Sequence, residues 1–234
     1  MGLPYFNDKN WSDITRDERT FCADLYYHLK QTNNVRKFTK ALLKKVKIDN
    51  IDLSGEIEMA FEVAYYRDVI FNSEYGDGEN ITRFANKRSI QGLLKRTFDL
   101  CIFLPNDIII IEAKAAESLT NKQMTEFIYD KKSIKALHRD LGLNEVNVHL
   151  IGLVSGEYKY SPATEEIFKK KIITWENIEE FNVDYKMTES LKTVYSKTGK
   201  VRTAKNIDKH EVITSLEKID LERRAELEAL KNKK

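Results

Sequence analysis

Two apolar runs, Leu100–Leu104 and Ile108–Ile111, flank the pair Pro105-Asn106. Short apolar runs on either side of a turn signal predict an antiparallel hairpin of buried strands. Counting outward from the turn, Leu104 faces Asp107, Phe103 faces Ile108, and Asp99 comes to face Glu112. Side chains alternate along a strand. Ile108, Ile110, Glu112 and Lys114 therefore share one face, and Ala113 points away.

Helical spacing dominates before the hairpin. Residues 12–31 carry the stripe Phe21, Cys22, Leu25 and Leu29, and Thr15 with Glu18 fits a capping box. Glu18 also falls on the inward face of that stripe. A second helix is predicted over about 34–47. Residues 56–72 suit both periods: Phe61, Val63 and Tyr65 alternate, while Ile57, Ala60, Phe61 and Ala64 fit a helix. The preferred reading is a strand from Ala60 to Tyr66. Residues 72–82 are rich in turn formers and read as a loop.

Beyond Lys114 a polar loop leads to a helix from about Thr120 to Leu141. Thr120 and Gln123 fit a capping box, Phe127, Ile134 and Leu137 form the apolar face, and Leu141-Gly142 is the stop. Val146, Val148, Leu150 and Gly152 alternate as a strand rejoining the sheet by a crossover. Helix, a short strand at Ile172–Trp175 and another helix follow over 163–195. The pattern is mixed α/β: one domain over 1–205, then a charged helix over 206–234. Val212, Leu216, Ile219, Leu227 and Leu230 give that tail a broken stripe, interrupted by Arg223. It serves either as a homodimer arm or as a helix packed on its own domain.

Composition narrows the class. At 234 residues and 41% hydrophobic content the chain can bury one sizeable core. No apolar stretch approaches the roughly 18 residues of a membrane span, and Met1 to Asp8 lack the pattern of a signal peptide. Cys22 and Cys101 both lie in apolar patterns, so buried thiols in a reducing cytoplasm are expected rather than a disulfide. His28, His138, His149 and His210 have no zinc-like spacing.

A net charge of +2 does not by itself point to nucleic acid, but its distribution does more. Arg83, Lys87, Arg88, Lys95 and Arg96 lead into the Asp99 strand with no acid among them. Arg36, Lys37, Lys40, Lys44, Lys45 and Lys47 form a second such stretch, equally well read as a solvated helix face. Cations beside an acidic site suit a polyanion, because phosphate contacts dominate nucleic-acid affinity. Tyr158 and Tyr160 are loop aromatics of the kind that can stack on bases, although exposed tyrosines without such a role are commoner.

The chemistry centres on Asp99, Glu112 and Lys114. Opposed residues of an antiparallel pair have Cβ atoms roughly 5 Å apart. Two carboxylates at that distance repel unless a cation lies between them, and charge at the end of a buried strand is costly without a partner. A hard cation such as Mg2+ takes oxygen ligands and keeps waters, one of which can act as a nucleophile. Lys114 would orient that water or hold a phosphate oxygen.

Asp99, followed by Glu112-Ala113-Lys114 closing an apolar strand, resembles the PD-(D/E)XK nuclease superfamily. The likeness covers residues 90 to 155, with Phe98 where proline is common. It implies a restriction-endonuclease-like αβββαβ core, here with extra N- and C-terminal helices, and divalent-metal-dependent hydrolysis of phosphodiesters, usually in DNA. Asp99 and Glu112 would then bind Mg2+, with Mn2+ able to substitute, and Lys114 would be the catalytic lysine. The family often adds an acid from its first helix, for which Glu18 is the candidate and Glu62 the rival. One branch places a glutamine and, four residues on, a tyrosine in the helix after the motif. Gln123 and Phe127 take that spacing, so Gln123 is either catalytic or a cap. A restriction or phage-defence role is expected on family grounds alone. The alternatives are a non-cleaving module that binds nucleic acid or protein on the same fold, and a scaffold dimerised by the tail.

Overall fold

The computed structural model describes residues 18–88, 90–114, 121–156, 168, 171–188 and 191. Among the described residues two helices come first, α1 (Glu18–Gln31) and α2 (Val35–Lys45), where the apolar stripes place them. Strand β1 (Glu58–Val63) is followed at once by α3 (Tyr65–Phe71). The ambiguous stretch 56–72 is thus both things in succession, and the strand expected to reach Tyr66 stops at Val63. Glu62, one residue before that end, has a left-handed backbone, φ 53°, which interrupts the extended run.

Helix α4 (Gly78–Lys87) corrects the loop expected over 72–82. Asp77 is its N-cap, accepting a bond from the Asn80 amide at 3.0 Å, so the turn-rich composition marks a helix start. A 3-10 turn, Gln91–Lys95, then delivers the chain to β2 (Phe98–Phe103) and β3 (Asp107–Ala113). Helix α5 (Asn121–Asp140) ends at Gly142, whose φ of +65° lets the Leu143 amide donate back to the His138 carbonyl at 2.8 Å. Strands β4 (Asn147–Val154) and β5 (Ile172–Thr174) and the short α6 (Trp175–Glu179) complete the described elements.

The five strands form one mixed sheet in the order β1-β2-β3-β4-β5. β1 pairs antiparallel with β2 and β2 antiparallel with β3, while β4 is parallel to β3 and β5 parallel to β4. The hairpin register is the expected one, with Phe103 opposite Ile108 and Leu100 opposite Ile111. β3 is central and every residue of it is buried, which explains its unalternating isoleucines.

Each face carries its own core. Phe21, Leu25 and Leu29 of α1, Phe38 and Leu42 of α2 and Trp175 of α6 pack on one side with Ile109, Ile111 and Ala113. Tyr66 of α3, Phe84 of α4 and Phe127 and Ile134 of α5 pack on the other with Ile108 and Ile110. The mixed α/β class holds. No helix among the described residues is long and apolar enough to cross a membrane. Thr15, Tyr158, Tyr160 and the tail 206–234 lie outside the described residues.

Candidate active site

The sheet comes apart at Asp99. Pairing between β1 and β2 runs from Glu58 opposite Phe103 to Phe61 opposite Leu100, passes over Glu62 and Asp99, and resumes with Val63 opposite Phe98. Pairing between β2 and β3 ends at Leu100 opposite Ile111, although β3 stays paired with β4 as far as Ala113. Asp99 is therefore in line to face Glu112, as the count from the turn requires, at a point where the backbone ladder has opened. Its side chain takes over, with Oδ2 accepting from the Ala113 amide at 2.8 Å.

Lys114 ties the other acids together. Its Nζ donates to Glu18 Oε1 at 2.8 Å and to the Ala113 carbonyl at 2.8 Å, and lies 3.0 Å from Glu112 Oε1. Glu112 and Lys114 are buried at 7% and 6% exposure, so their pairing replaces hydration that burial removed. Glu18 arrives because the buried stripe of α1 seats its first turn over this end of the sheet. The rival acid, Glu62, turns instead to Arg19, with Nε–Oε1 at 3.1 Å.

Burial, reinforced by Asp99, pushes the Glu112 carboxyl up to about 8, against the pull of Lys114. Burial presses Lys114 the other way, but Glu112, Glu18 and Asp99 outweigh it and hold its ammonium above the ordinary lysine value. Cys22, fully buried under the same spot, has its thiol raised by burial and then by Asp99, Glu18 and Glu112. With all three acids ionised, three carboxylates face one ammonium and the cluster carries excess negative charge. Among the described residues no group of three or more His, Cys, Asp or Glu side chains stands in a metal-holding arrangement. The donor chemistry is nevertheless that of a hard-cation site, since Asp99, Glu112 and Glu18 offer carboxylate oxygens alone.

The basic stretch divides. Arg83, Lys87 and Lys95 are exposed on α4 and the 3-10 turn. Arg88 is exposed as well but reaches Asp140 at 3.4 Å and lies over the Phe84 ring. Arg96 is turned inward, contrary to its expected place among the phosphate-facing cations. Its Nε donates to Asp130 Oδ2 at 2.5 Å and its Nη1 to Glu126 Oε2 at 3.0 Å. The guanidinium lies over the Phe127 and Phe98 rings. In the second basic stretch, Arg36 is bound to the Leu53 and Gly55 carbonyls and Lys45 to Glu180. Gln123 lies on α5, and its side chain is outside the described residues.

Asp130 is the residue that sequence reasoning missed. It is fully buried, bonded to Arg96 and to the Tyr66 hydroxyl at 2.8 Å. A signal existed: Asp130 stands on the apolar stripe of α5, three residues after Phe127 and four before Ile134, where a lone carboxylate needs a buried partner.

Comparison of the chain with family models, curated proteins and solved structures returns no significant match.

Proposed function

We propose that the chain is a divalent-metal-dependent endonuclease that hydrolyses phosphodiester bonds in DNA, on a restriction-endonuclease-like core. The observation that carries this reading is the cluster of Glu18, Asp99, Glu112 and Lys114 where β2 and β3 part. Once Glu112 gives up its proton, three carboxylates outnumber one ammonium, and that excess negative charge repels a phosphodiester unless a cation enters with it. Asp99 and Glu112 would hold that cation, Mg2+ or Mn2+, with Glu18 as the additional acid. The bound metal supplies positive charge against the phosphate oxygens and a lowered pKa for the attacking water.

The protein's own groups do the rest. Lys114, kept charged by its acids, donates from Nζ to the water or to a phosphate oxygen as negative charge develops there. Asp99 holds the Ala113 amide and so fixes the backbone between Glu112 and Lys114. Arg83, Lys87 and Lys95 offer exposed cations to the DNA backbone. A restriction or phage-defence setting agrees with this chemistry.

Nicking of supercoiled plasmid in Mg2+, its loss in EDTA and its loss in Lys114→Ala test the reading. A wild-type protein that binds DNA but leaves the plasmid intact in both Mg2+ and Mn2+ would exclude it. One observation favours a second reading, a module on the same fold that binds without cleaving. The Lys114 ammonium already bridges Glu18 and Glu112, which partly balances the acids without a metal.

A further inference from the structure

The start of β2 is fastened to the helices behind it by a buried charged cluster. Arg96, three residues before Asp99, sends Nε to Asp130 Oδ2 and Nη1 to Glu126 Oε2, both on α5. Asp130 Oδ1 accepts from Tyr66 of α3. The guanidinium lies over the Phe127 and Phe98 rings, at 4.6 and 5.4 Å from ring centroid to Cζ. Tyr66, Phe98, Phe127 and Asp130 are each buried to 1% exposure or less.

Packing alone is a poor reason for this arrangement. A buried ion pair gains little over apolar side chains of the same volume, because both charges lose their water. Among the described residues Arg96 Nη2 is buried without a partner, a further cost. What an arginine forked between two acids and lying over two rings does provide is a fixed orientation.

That orientation matters because of what lies three residues on. The ladder passes over Asp99 on the β1 side and has ended on the β3 side. Asp99 is thus held by its own bond to the Ala113 amide, by the pairs of its neighbours Phe98 and Leu100, and by the anchoring of the chain at Arg96. We infer that Arg96 and Asp130 are positioning residues, a clamp that sets the carboxylate of Asp99 against Glu112. This rests on the nuclease reading for its catalytic consequence, but not for its geometry.

The test uses the full chain carrying Arg96→Met and Asp130→Asn together. Both charges leave at once, and the amide oxygen still accepts the Tyr66 hydroxyl. Cleavage is followed as kcat, DNA affinity separately with Ca2+ in place of Mg2+, and the Ala113 amide by its nitrogen and proton shifts. The expected result is a folded protein with kcat down roughly 10- to 100-fold, unchanged DNA affinity, and a displaced Ala113 resonance. Arg96→Lys, which keeps the charge but not the fork, should fall between, and serves alone if the double variant does not fold. Unchanged kcat with an unmoved Ala113 resonance overturns the clamp. Weakened DNA affinity at unchanged kcat also overturns it, since Arg96 would then act as a phosphate contact. If wild-type protein cleaves nothing, the nuclease reading fails on its own, and the Ala113 resonance still decides the clamp.

Discussion

At the scale of single residues, Lys114 has two duties with separate signatures. As a preorganised charge beside the reacting phosphate, its loss in Lys114→Ala is expected to reduce kcat by about 100-fold or more. As the partner of buried Glu112, its loss also removes the ammonium that opposes burial of the charged acid, an effect that reaches about 3 kcal/mol in urea unfolding only above about pH 8, where Glu112 is ionised. Glu112 makes a further prediction in pH. Its carboxyl is raised from 4.5 to about 8 in the folded protein, so the fold holds a proton that the unfolded chain has released. The stability this contributes is complete below about pH 4.5 and is lost as pH rises through about 8. Thermal melts in EDTA should therefore decline across that window, and the decline should flatten in Glu112→Gln. A melt that rises over the same range would contradict the burial of the protonated acid.

Elements are decided by short signals that compete. Residues 72–82 contain the composition of a loop and the cap of a helix, and the cap prevails from Gly78 onward because Asp77 satisfies an orphan amide. Asp77→Ala is expected to lower unfolding free energy by about 1 kcal/mol, with little effect on cleavage. Equal loss of activity and stability would place α4 in the catalytic machinery instead. Residues 56–72 carry two periodicities because two elements meet there: the left-handed Glu62 interrupts the pairing of β1 one residue before its end, and Ala64 divides the strand from the helix. No residue type in that stretch announces the break, since neither glycine nor proline marks it.

For the whole molecule, the central prediction concerns the cation. A ligand that binds the folded state alone, present at a hundred times its Kd, adds about 2.7 kcal/mol, which for a domain of this size raises Tm by roughly 5 to 10 °C. Mn2+ is expected to do so for the wild type and to fail for Asp99→Asn and Glu112→Gln. A rise that survives both substitutions would locate the metal elsewhere. The site is assembled from both layers: Glu18 comes from the helices on one face, while the anchoring of β2 comes from α5 and α3 on the other.

The chain by itself determined the hairpin, its register and the meeting of Asp99, Glu112 and Lys114. These depend on alternation and on one turn, and both are local. Only the tertiary structure brought Glu18 to Lys114 and turned Glu62 to Arg19, because a helix's apolar stripe does not state where along the sheet its first turn will rest. It also took Arg96 out of the basic stretch and buried it against Asp130, a partnership spanning 34 residues. Charge runs along a sequence show sign and spacing. Whether a given cation meets solvent or a buried acid depends on which elements pack together, and that is fixed by the burial of apolar surface across the whole fold.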